Sequence, residues 1–213
     1  MWPGETKHDR QTANRETLAV IGKVLACLRK RLDDHLRLEL AEAGDAPVAD
    51  KVVFLDGDKM DPISFQDGAV SALLINVEEE RLLRAADPYT RVQEDGKPSR
   101  KQPDLRLVLH VLFVARFKQY DLAWDHLTKI IEYLQSNRTF EREGDPELPT
   151  GVDKLAFELM TQSLAEQNNI WSALRVAYHP CALYRVQLVV LRDVQPVPRD
   201  RITLPVVVHV HRV

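Results

Sequence analysis

One run of the chain, residues 104–117, constrains the fold more than any other. Its sequence, DLRLVLHVLFVARF, is apolar on both faces of an extended chain over its middle, with His110 as the polar exception there. A strand with one face in water alternates apolar and polar residues, whereas a strand covered on both faces does not. The run therefore predicts a central strand of a sheet, partly covered on both sides.

Apolar residues recur at three- and four-residue steps in two segments, and this spacing predicts amphipathic helices. The first segment extends from Asn14, the predicted N-cap, to Ala43, just before Gly44. The second extends from Gln119 to Gln135. Its predicted apolar stripe comprises Tyr120, Ala123, Trp124, Leu127, Ile130, Ile131 and Leu134.

A third, shorter helix is predicted after residue 162. Ser163 and Glu166 have the spacing of a capping box, in which each side chain binds the other residue's backbone N–H. Trp171 lies in this helix, Pro180 is predicted to end it, and a long strand follows over 183–191.

Alternation and turn residues predict the other strands, over 51–55, 69–79, 154–160 and, after Pro205, within 201–213. Because several strands follow one another without helices between them, we expect an α+β fold. Its sheet is predicted to be mostly antiparallel and flanked by two long helices and one short helix. The expected division is a flexible arm over 1–13, one domain over 14–193 and a C-terminal tail strand over 194–213 that could pair between subunits. Residues 84–103 are predicted to form a long polar loop.

Charge and motifs argue against several function classes. The 213 residues carry a formal net charge of -3, whereas general binding to nucleic acid or anionic membranes needs surplus Lys and Arg. No GxGxxG, Walker, GxSxG or HExxH motif is present, so an enzyme is not supported. His209 and His211 lack a third ligand nearby, and we expect no metal or other cofactor.

The cysteines and the apolar runs indicate where the chain works. Cys27 and Cys181 lie far apart without a CxxC motif, which fits a reducing compartment. The N-terminus lacks an apolar signal region, and every apolar run is too short to cross a bilayer. We therefore expect assembly in the cytoplasm and no membrane partner.

Three segments together carry a family resemblance. They are AVSALLINVEEERLLRA at 69–85, PDLRLVLHVLFVARFKQYDLAWDHLTKIIEYLQSNRTF at 103–140, and SLAEQNNIWSALRVAYHPCALYRVQLVVLR at 163–192. The third is the most specific, with Trp-Ser-Ala-Leu followed by Tyr-x-Pro-x-x-x-Tyr. The chain resembles the tube-cap or tail-terminator proteins of extracellular contractile injection systems, which are phage-tail-like particles. It departs from their pattern at Asp104, where an apolar residue is usual, and at Cys181, where Ser is usual.

The resemblance implies a tail-terminator-like fold and a structural, non-enzymatic role. Six copies would form a ring at the distal end of the inner tube, end its polymerisation and contact the last sheath ring. The implied partners are other copies of the chain, the inner tube protein and the sheath protein, in a particle that could be released from the cell. Two alternatives remain: a baseplate or sheath adaptor of the same machine, and an unrelated α+β ligand-binding domain or enzyme.

Two sets of residues are candidates for these roles. The aromatic residues and Pro180 are expected to be structural anchors, while charged residues near a strand end and valines of the tail are expected to form the subunit or tube interface. The anchors are Trp124, Trp171, Tyr178, Pro180 and Tyr184. The interface candidates are Glu79, Arg81, Arg84, Arg91, Lys97, Arg100, Lys101, Val206, Val208 and Val210. The charge cluster around Glu79 fits either a solvated surface with local ion pairs or an electrostatic rim that sets a neighbour's register.

Overall fold

The structure of the chain is a computed structural model, and it describes residues 7–42, 50–57, 62–80, 90–92, 98–100 and 105–190. The chain divides into two compact units. Unit 1 consists of Met1–Leu83 and Asp104–Arg192, and unit 2 consists of Arg84–Pro103 and Asp193–Val213. Residues 84–103, expected as a loop of the main domain, therefore group with the tail.

The described residues contain three helices and eight strands. The helices are α1 (Lys7–Glu42), α2 (Tyr120–Ser136) and α3 (Leu164–Leu174). The strands are β1 (Val52–Val53), β2 (Ala69–Glu79), β3 (Thr90–Val92), β4 (Pro98–Arg100), β5 (Leu105–Arg116), β6 (Thr139–Glu141), β7 (Val152–Leu159) and β8 (Cys181–Val190). In unit 1 the sheet order is β1-β2-β5-β8-β7-β6, and only the β1–β2 pair is parallel.

The prediction of a central strand over 104–117 is confirmed, because β5 lies between β2 and β8. Its odd-numbered residues from Leu107 to Ala115 belong to a large core under α1 and α2. Its even-numbered Leu112 and Val114 belong to a smaller core on the other side, with Phe65 and Trp171 of α3. We call the α1/α2 side face 1 and the α3 side face 2. The strand is thus apolar on both sides because each side is packed against another layer.

A buried carboxylate joins α1 to the sheet edge. Asp33 accepts hydrogen bonds from the backbone N–H groups of Lys51 (2.6 Å) and Val52 (2.9 Å). It also accepts one from Nε of Arg37 at 2.7 Å. Since β1 has only two residues, these bonds hold it against α1 at the point where it pairs with β2.

In unit 2 the described residues are two short strands, and the prediction of a loop is wrong there. β3 and β4 pair antiparallel, with Thr90 opposite Arg100 and Val92 opposite Pro98. The signals were present in the sequence: two β-branched residues in β3, and Asp-Gly at 95–96 between the strands. Pro98 is tolerated because it is the first residue of its strand.

Several predicted boundaries also differ. α1 begins at Lys7, not at Asn14, because residues 7–13 contain no Gly or Pro to stop a helix. Part of the expected arm is therefore helical. α3 ends at Leu174 with Arg175 in the left-handed conformation (φ 55°), so Pro180 does not end it. The three-residue β6 was missed, since so short a strand forms only by pairing with β7.

The capping box of α3 is confirmed: Ser163 and Glu166 bind each other's backbone N–H groups. Within the described part of the chain, none of the helices combines the length and apolar character that crossing a bilayer requires.

Candidate docking surfaces

The predicted interface residues are not spread evenly over the chain, and most belong to unit 2. Glu79 is exposed at the end of β2, and Arg91 and Arg100 lie in β3 and β4. The other predicted interface residues lie outside the described residues; they are Arg81, Arg84, Lys97, Lys101, Val206, Val208 and Val210.

The two units differ in charge. Unit 2 carries eight Lys or Arg residues against five Asp or Glu, a formal surplus of three positive charges. Unit 1 carries 21 Lys or Arg residues against 27 Asp or Glu, a formal surplus of six negative charges. The net charge of -3 for the whole chain therefore conceals two parts of opposite sign. Such asymmetry favours association between copies in which unlike parts meet.

The last residue of β2, the first residue of β5 and the last residue of β8 lie at one end of the sheet of unit 1. The chain passes between units after β2, before β5 and after β8, at positions 83–84, 103–104 and 192–193. These strand ends are neighbours, because Glu79 pairs with Leu107 and Leu105 pairs with Val190. We call this the connection end of the sheet. The opposite end is where β5 finishes at Arg116 and β8 begins at Cys181.

Three of the predicted anchors are buried. Trp171 packs edge-to-face on Phe65 with ring centroids 6.2 Å apart, which fixes α3 on face 2. Tyr184 packs edge-to-face on Phe113, and burial raises the pKa of its phenol to about 12. The buried Pro180 accepts a hydrogen bond from the N–H of Ala115 at its carbonyl, at 2.9 Å.

The other two predicted anchors, Trp124 and Tyr178, are exposed rather than buried. Trp124 is 37% exposed and Tyr178 is 51% exposed. The buried side of α2 is centred near Ile130, and at about 100° per residue Trp124 lies about 120° away from that centre. The periodic pattern gave α2 too wide an apolar stripe. His126 occupies part of the buried side instead.

Exposed aromatic side chains cluster at the end of the sheet opposite the connection end. Tyr120 is 66% exposed and contacts Trp124 edge-to-face, with ring centroids 6.3 Å apart. Tyr178 packs on the buried Trp171 at 5.6 Å. Burial, then the negative charges that Cys181 and Tyr120 would carry, raise the pKa of Tyr178. We call Tyr120, Trp124 and Tyr178 the aromatic patch.

The solvent side of α2 beside this patch is acidic. Its exposed charged residues are Asp121, Asp125 and Glu132, and none of the exposed α2 residues is Lys or Arg. Lys129, on the flank of the helix, pairs with Glu39 of α1 at 3.3 Å. Among the described residues, none of the three carboxylates forms an ion pair. The helix therefore presents aromatic rings and unneutralised negative charge side by side.

Face 2 also carries a polar row that crosses four strands. Asn76, His110, Arg185 and Glu158 lie opposite one another on β2, β5, β8 and β7. Arg185 donates to Glu80 at 2.9 Å and to Glu158 at 3.3 Å. Nε2 of His110 lies 3.5 Å from a carboxylate oxygen of Glu78. Sequence reasoning missed this row, because its members come from strands far apart in the chain.

The outer edge of β2 is partly blocked against strand addition. β1 pairs only with Val70 and Ser71, so within the described residues the edge beyond them has no strand partner. A register shift interrupts the pairing at Ile75, and Oδ1 of Asn76 accepts the N–H of Val77 at 2.9 Å. A bulge and a satisfied edge N–H both disfavour pairing with another chain.

An open cleft of about 770 Å³ lies beside β6. Its one cation, the half-buried Arg31, lies over the Phe140 ring at 4.6 Å and pairs with Asp145 at 2.6 Å. Its charge is therefore neutralised by an ion pair within the fold. Over the described ranges, no three His, Cys, Asp or Glu side chains are placed to hold a metal ion.

Comparison with known proteins gives one family and two similar structures. The chain matches the family described as the Pvc16 N-terminal domain over residues 11–204. The tube-terminating cap of the anti-feeding prophage is 16% identical, with 68% of this chain and 49% of that chain covered and a TM-score of 0.45. The sheath/tube terminator of the PVC extracellular contractile injection system, in its extended state, is 18% identical, with 72% and 57% covered and a TM-score of 0.46.

The chain therefore spans about half the length of the solved structures that it matches. No curated protein matches it.

Proposed function

Because the chain belongs to the Pvc16 N-terminal domain family, a tube-cap family of contractile injection systems, we propose that it caps the inner tube of such a particle. The match over residues 11–204, which is nearly the whole chain, is the observation that carries this proposal. The role is structural and not enzymatic. The cap would be a ring of six copies that ends tube growth.

The surfaces of the molecule support a ring. A ring of identical copies needs two different complementary surfaces on each copy, which meet head to tail. The aromatic patch and acidic side of α2 form one distinctive surface, and the basic residues of unit 2 supply a charge of the opposite sign. Several modest contacts that close together hold a ring far more firmly than one contact alone.

The proposed partners are the inner tube protein and the last sheath ring. The predicted interface residues, from Glu79 through the basic residues of 81–101 to the tail valines, are the proposed contacts with these partners or with neighbouring copies. The buried Trp171, Pro180 and Tyr184 are proposed to keep the scaffold rigid. Assembly would take place in the cytoplasm, before release of the particle, with no nucleic acid or membrane involved.

Tube growth in the presence of the purified protein tests the proposal. Purified tube protein is polymerised with increasing amounts of the chain, and tube lengths are measured by electron microscopy. A capping protein shortens the tubes and appears as a ring of six at one end. Tube lengths that do not change at any ratio would contradict the proposal.

Particles assembled without the protein separate the cap from a baseplate or sheath adaptor. Loss of a cap leaves tubes and sheaths of uncontrolled length on normal baseplates. Loss of an adaptor leaves particles without baseplates or without sheaths, and that outcome would favour the alternative role.

A further inference from the structure

We propose that the outer edge of β6, with the acidic cleft beside it, binds an extended, basic segment of another protein by strand addition. The segment would extend the six-stranded sheet of unit 1, and its Lys or Arg side chains would reach carboxylates of the cleft. The inference goes beyond the capping role, because it assigns a binding site that holds whether or not the chain caps a tube.

The backbone groups of β6 point alternately towards β7 and away from it. β6 is the last strand in the sheet order, and β7 is its one strand partner within the described part of the chain. The N–H of Phe157 in β7 donates to the carbonyl of Arg138 at 2.9 Å. Since the hydrogen-bonded pairs of an antiparallel ladder fall on every second residue, Thr139 and Glu141 direct their backbone groups to the outer side.

Three of these outward groups have no hydrogen-bond partner among the described residues. They are the N–H and the C=O of Thr139 and the N–H of Glu141. The carbonyl of Glu141 accepts a bond from the N–H of Gly144 at 3.1 Å. Both strand residues are exposed, so a partner strand can reach them. An exposed edge with unpaired N–H and C=O groups is a template for a further strand.

The other edge of the sheet shows what a blocked edge looks like in this molecule. In β2 a register shift interrupts the pairing at Ile75, and the side chain of Asn76 occupies the N–H of Val77. The register of β6 on β7 is regular, and β6 contains neither Pro nor Lys. The shortness of β6 limits the backbone contribution to a few hydrogen bonds. Side-chain contacts must therefore select the segment.

The cleft beside β6 is acidic. All three residues of β6 line it, together with the loop that follows, and its volume of about 770 Å³ admits several side chains. The lining has four carboxylates against one guanidinium. The carboxylates are those of Glu141, Glu143, Asp145 and Glu147, and the guanidinium is that of Arg31.

Ion pairs within the fold leave part of this negative charge unmatched. Arg31 lies 2.6 Å from Asp145 and 3.4 Å from Glu147. Lys154, outside the cleft lining, pairs with Glu141 at 2.6 Å. Among the described residues, no ion pair forms at the exposed Glu143. A segment with Lys or Arg complements such a lining, whereas an acidic segment is repelled by it.

The same charge argues against a second copy of this chain paired edge to edge through its own β6. That pairing would set two acidic clefts side by side, with Glu141 and Glu143 of each copy near their counterparts. Like charges brought together at an interface disfavour the complex. The occupant is therefore an extended, basic segment of a different protein.

A peptide titration tests the site on the full-length chain. The probe is a short peptide in which Lys and Val alternate, with both ends blocked, and the matched control has Glu in place of Lys. We expect the Lys peptide to shift the NMR signals of the Thr139 and Glu141 amides and to slow their hydrogen exchange. The Glu peptide should bind at least roughly fivefold more weakly. No shift with the Lys peptide, or shifts only elsewhere, would overturn the inference.

A pair of substitutions at one position tests the backbone contact. Thr139→Pro removes an outward N–H and leaves the bonds between β6 and β7 in place, so we expect roughly tenfold weaker binding of the Lys peptide. Thr139→Val keeps the N–H and should bind like the wild type. Unchanged signals from β7 show that each variant is folded. Equal binding by the two variants would exclude strand addition.

Charge reversal in the cleft gives a second readout that does not alter the backbone. Glu143→Lys should weaken binding of the Lys peptide roughly threefold and reduce its dependence on salt. Glu132→Lys, on α2 and outside the cleft lining, is the matched control and should leave binding unchanged. Equal effects of the two substitutions would show that the cleft does not select the segment.

Sedimentation of the chain alone tests the choice of occupant. We expect Thr139→Pro to leave its self-association unchanged. Self-association that Thr139→Pro abolishes would make a second copy the occupant of the edge and overturn the inference.

Discussion

Beneath α1 and α2 the sheet is apolar from β2 to β7, and this core includes Leu109 and Phe113 of β5. On face 2, apolar packing is confined to the neighbourhood of α3, around Leu112 and Trp171, and the polar row crosses the same four strands nearby. The two faces differ in apolar packing because two long helices cover face 1, whereas one short helix covers only part of face 2. Face 1 should therefore dominate stability, while face 2 tolerates charge.

Two leucines of β5 test this difference most strongly. Leu109 faces the large core and Leu112 the small one, and both are fully buried. We expect Leu109→Ala to lower the free energy of unfolding by about 4 kcal/mol and Leu112→Ala by about 2–3 kcal/mol, because a thinner layer relaxes more easily around a cavity. Urea unfolding measures both. Equal losses, or the reverse order, would remove the proposed difference between the faces.

Asp33 tests whether the edge of face 1 depends on a polar contact. Asp33→Ala leaves the N–H groups of Lys51 and Val52 without their acceptor, and we expect a loss of about 2–3 kcal/mol. Hydrogen exchange should show faster exchange at these two amides than elsewhere in the sheet. The exposed Asp34→Ala, one residue away, is the control and should change unfolding by less than about 0.5 kcal/mol.

His126 makes face 1 sensitive to acid. Its Nδ1 donates to the carbonyl of Leu122 at 2.8 Å, and its Nε2 is buried without a hydrogen-bond partner among the described residues. Burial, with smaller contributions from Lys51 and Lys129, lowers the pKa of the ring below its ordinary value of 6.5. As the pH is lowered, the unfolded chain therefore binds a proton at a higher pH than the folded chain does. Stability contributed by the neutral ring is present above about pH 6.5 and is lost as the pH falls towards the folded-state pKa.

Thermal unfolding between pH 7.5 and pH 5 checks this expectation. The melting temperature of the wild type should fall over this range, and His126→Gln, which keeps a donor but does not titrate, should flatten the fall. His35→Gln is a control on α1. If His126→Gln retains the full pH dependence, another group is responsible.

The smallest effect is expected on face 2. Glu158 binds Arg185 at 3.3 Å but is 66% exposed in its side chain, so water screens the pair. Glu158→Gln should change the free energy of unfolding by less than about 0.5 kcal/mol. Arg185 retains Glu80, at 2.9 Å, as its partner. A loss above about 1.5 kcal/mol in urea unfolding would show that the polar row is a structural element of the fold.

The sequence identified residues of the candidate docking surface but not their exposure or their grouping in space. Trp124 and Tyr178 were recognised as structural anchors. Trp124 was placed on the apolar stripe of α2 because a single helix pattern gives the approximate direction of a side chain and not what covers it. The basic residues of 84–101 were recognised from charge alone. Their grouping with the tail in unit 2, and the connection end shared by three strands, depend on contacts between remote segments.

By itself the sequence determined the elements whose signals are local. The apolar run of β5, the stripe of α2 and the capping box of α3 each specify a structure within a few residues, through side-chain period and backbone hydrogen bonding. Only the tertiary structure decided the strand order, the burial of His126, the exposure of Trp124 and the polar row from Asn76 to Glu158. Those features arise where segments distant in the chain meet, and burial there depends on the facing layer rather than on the residue itself.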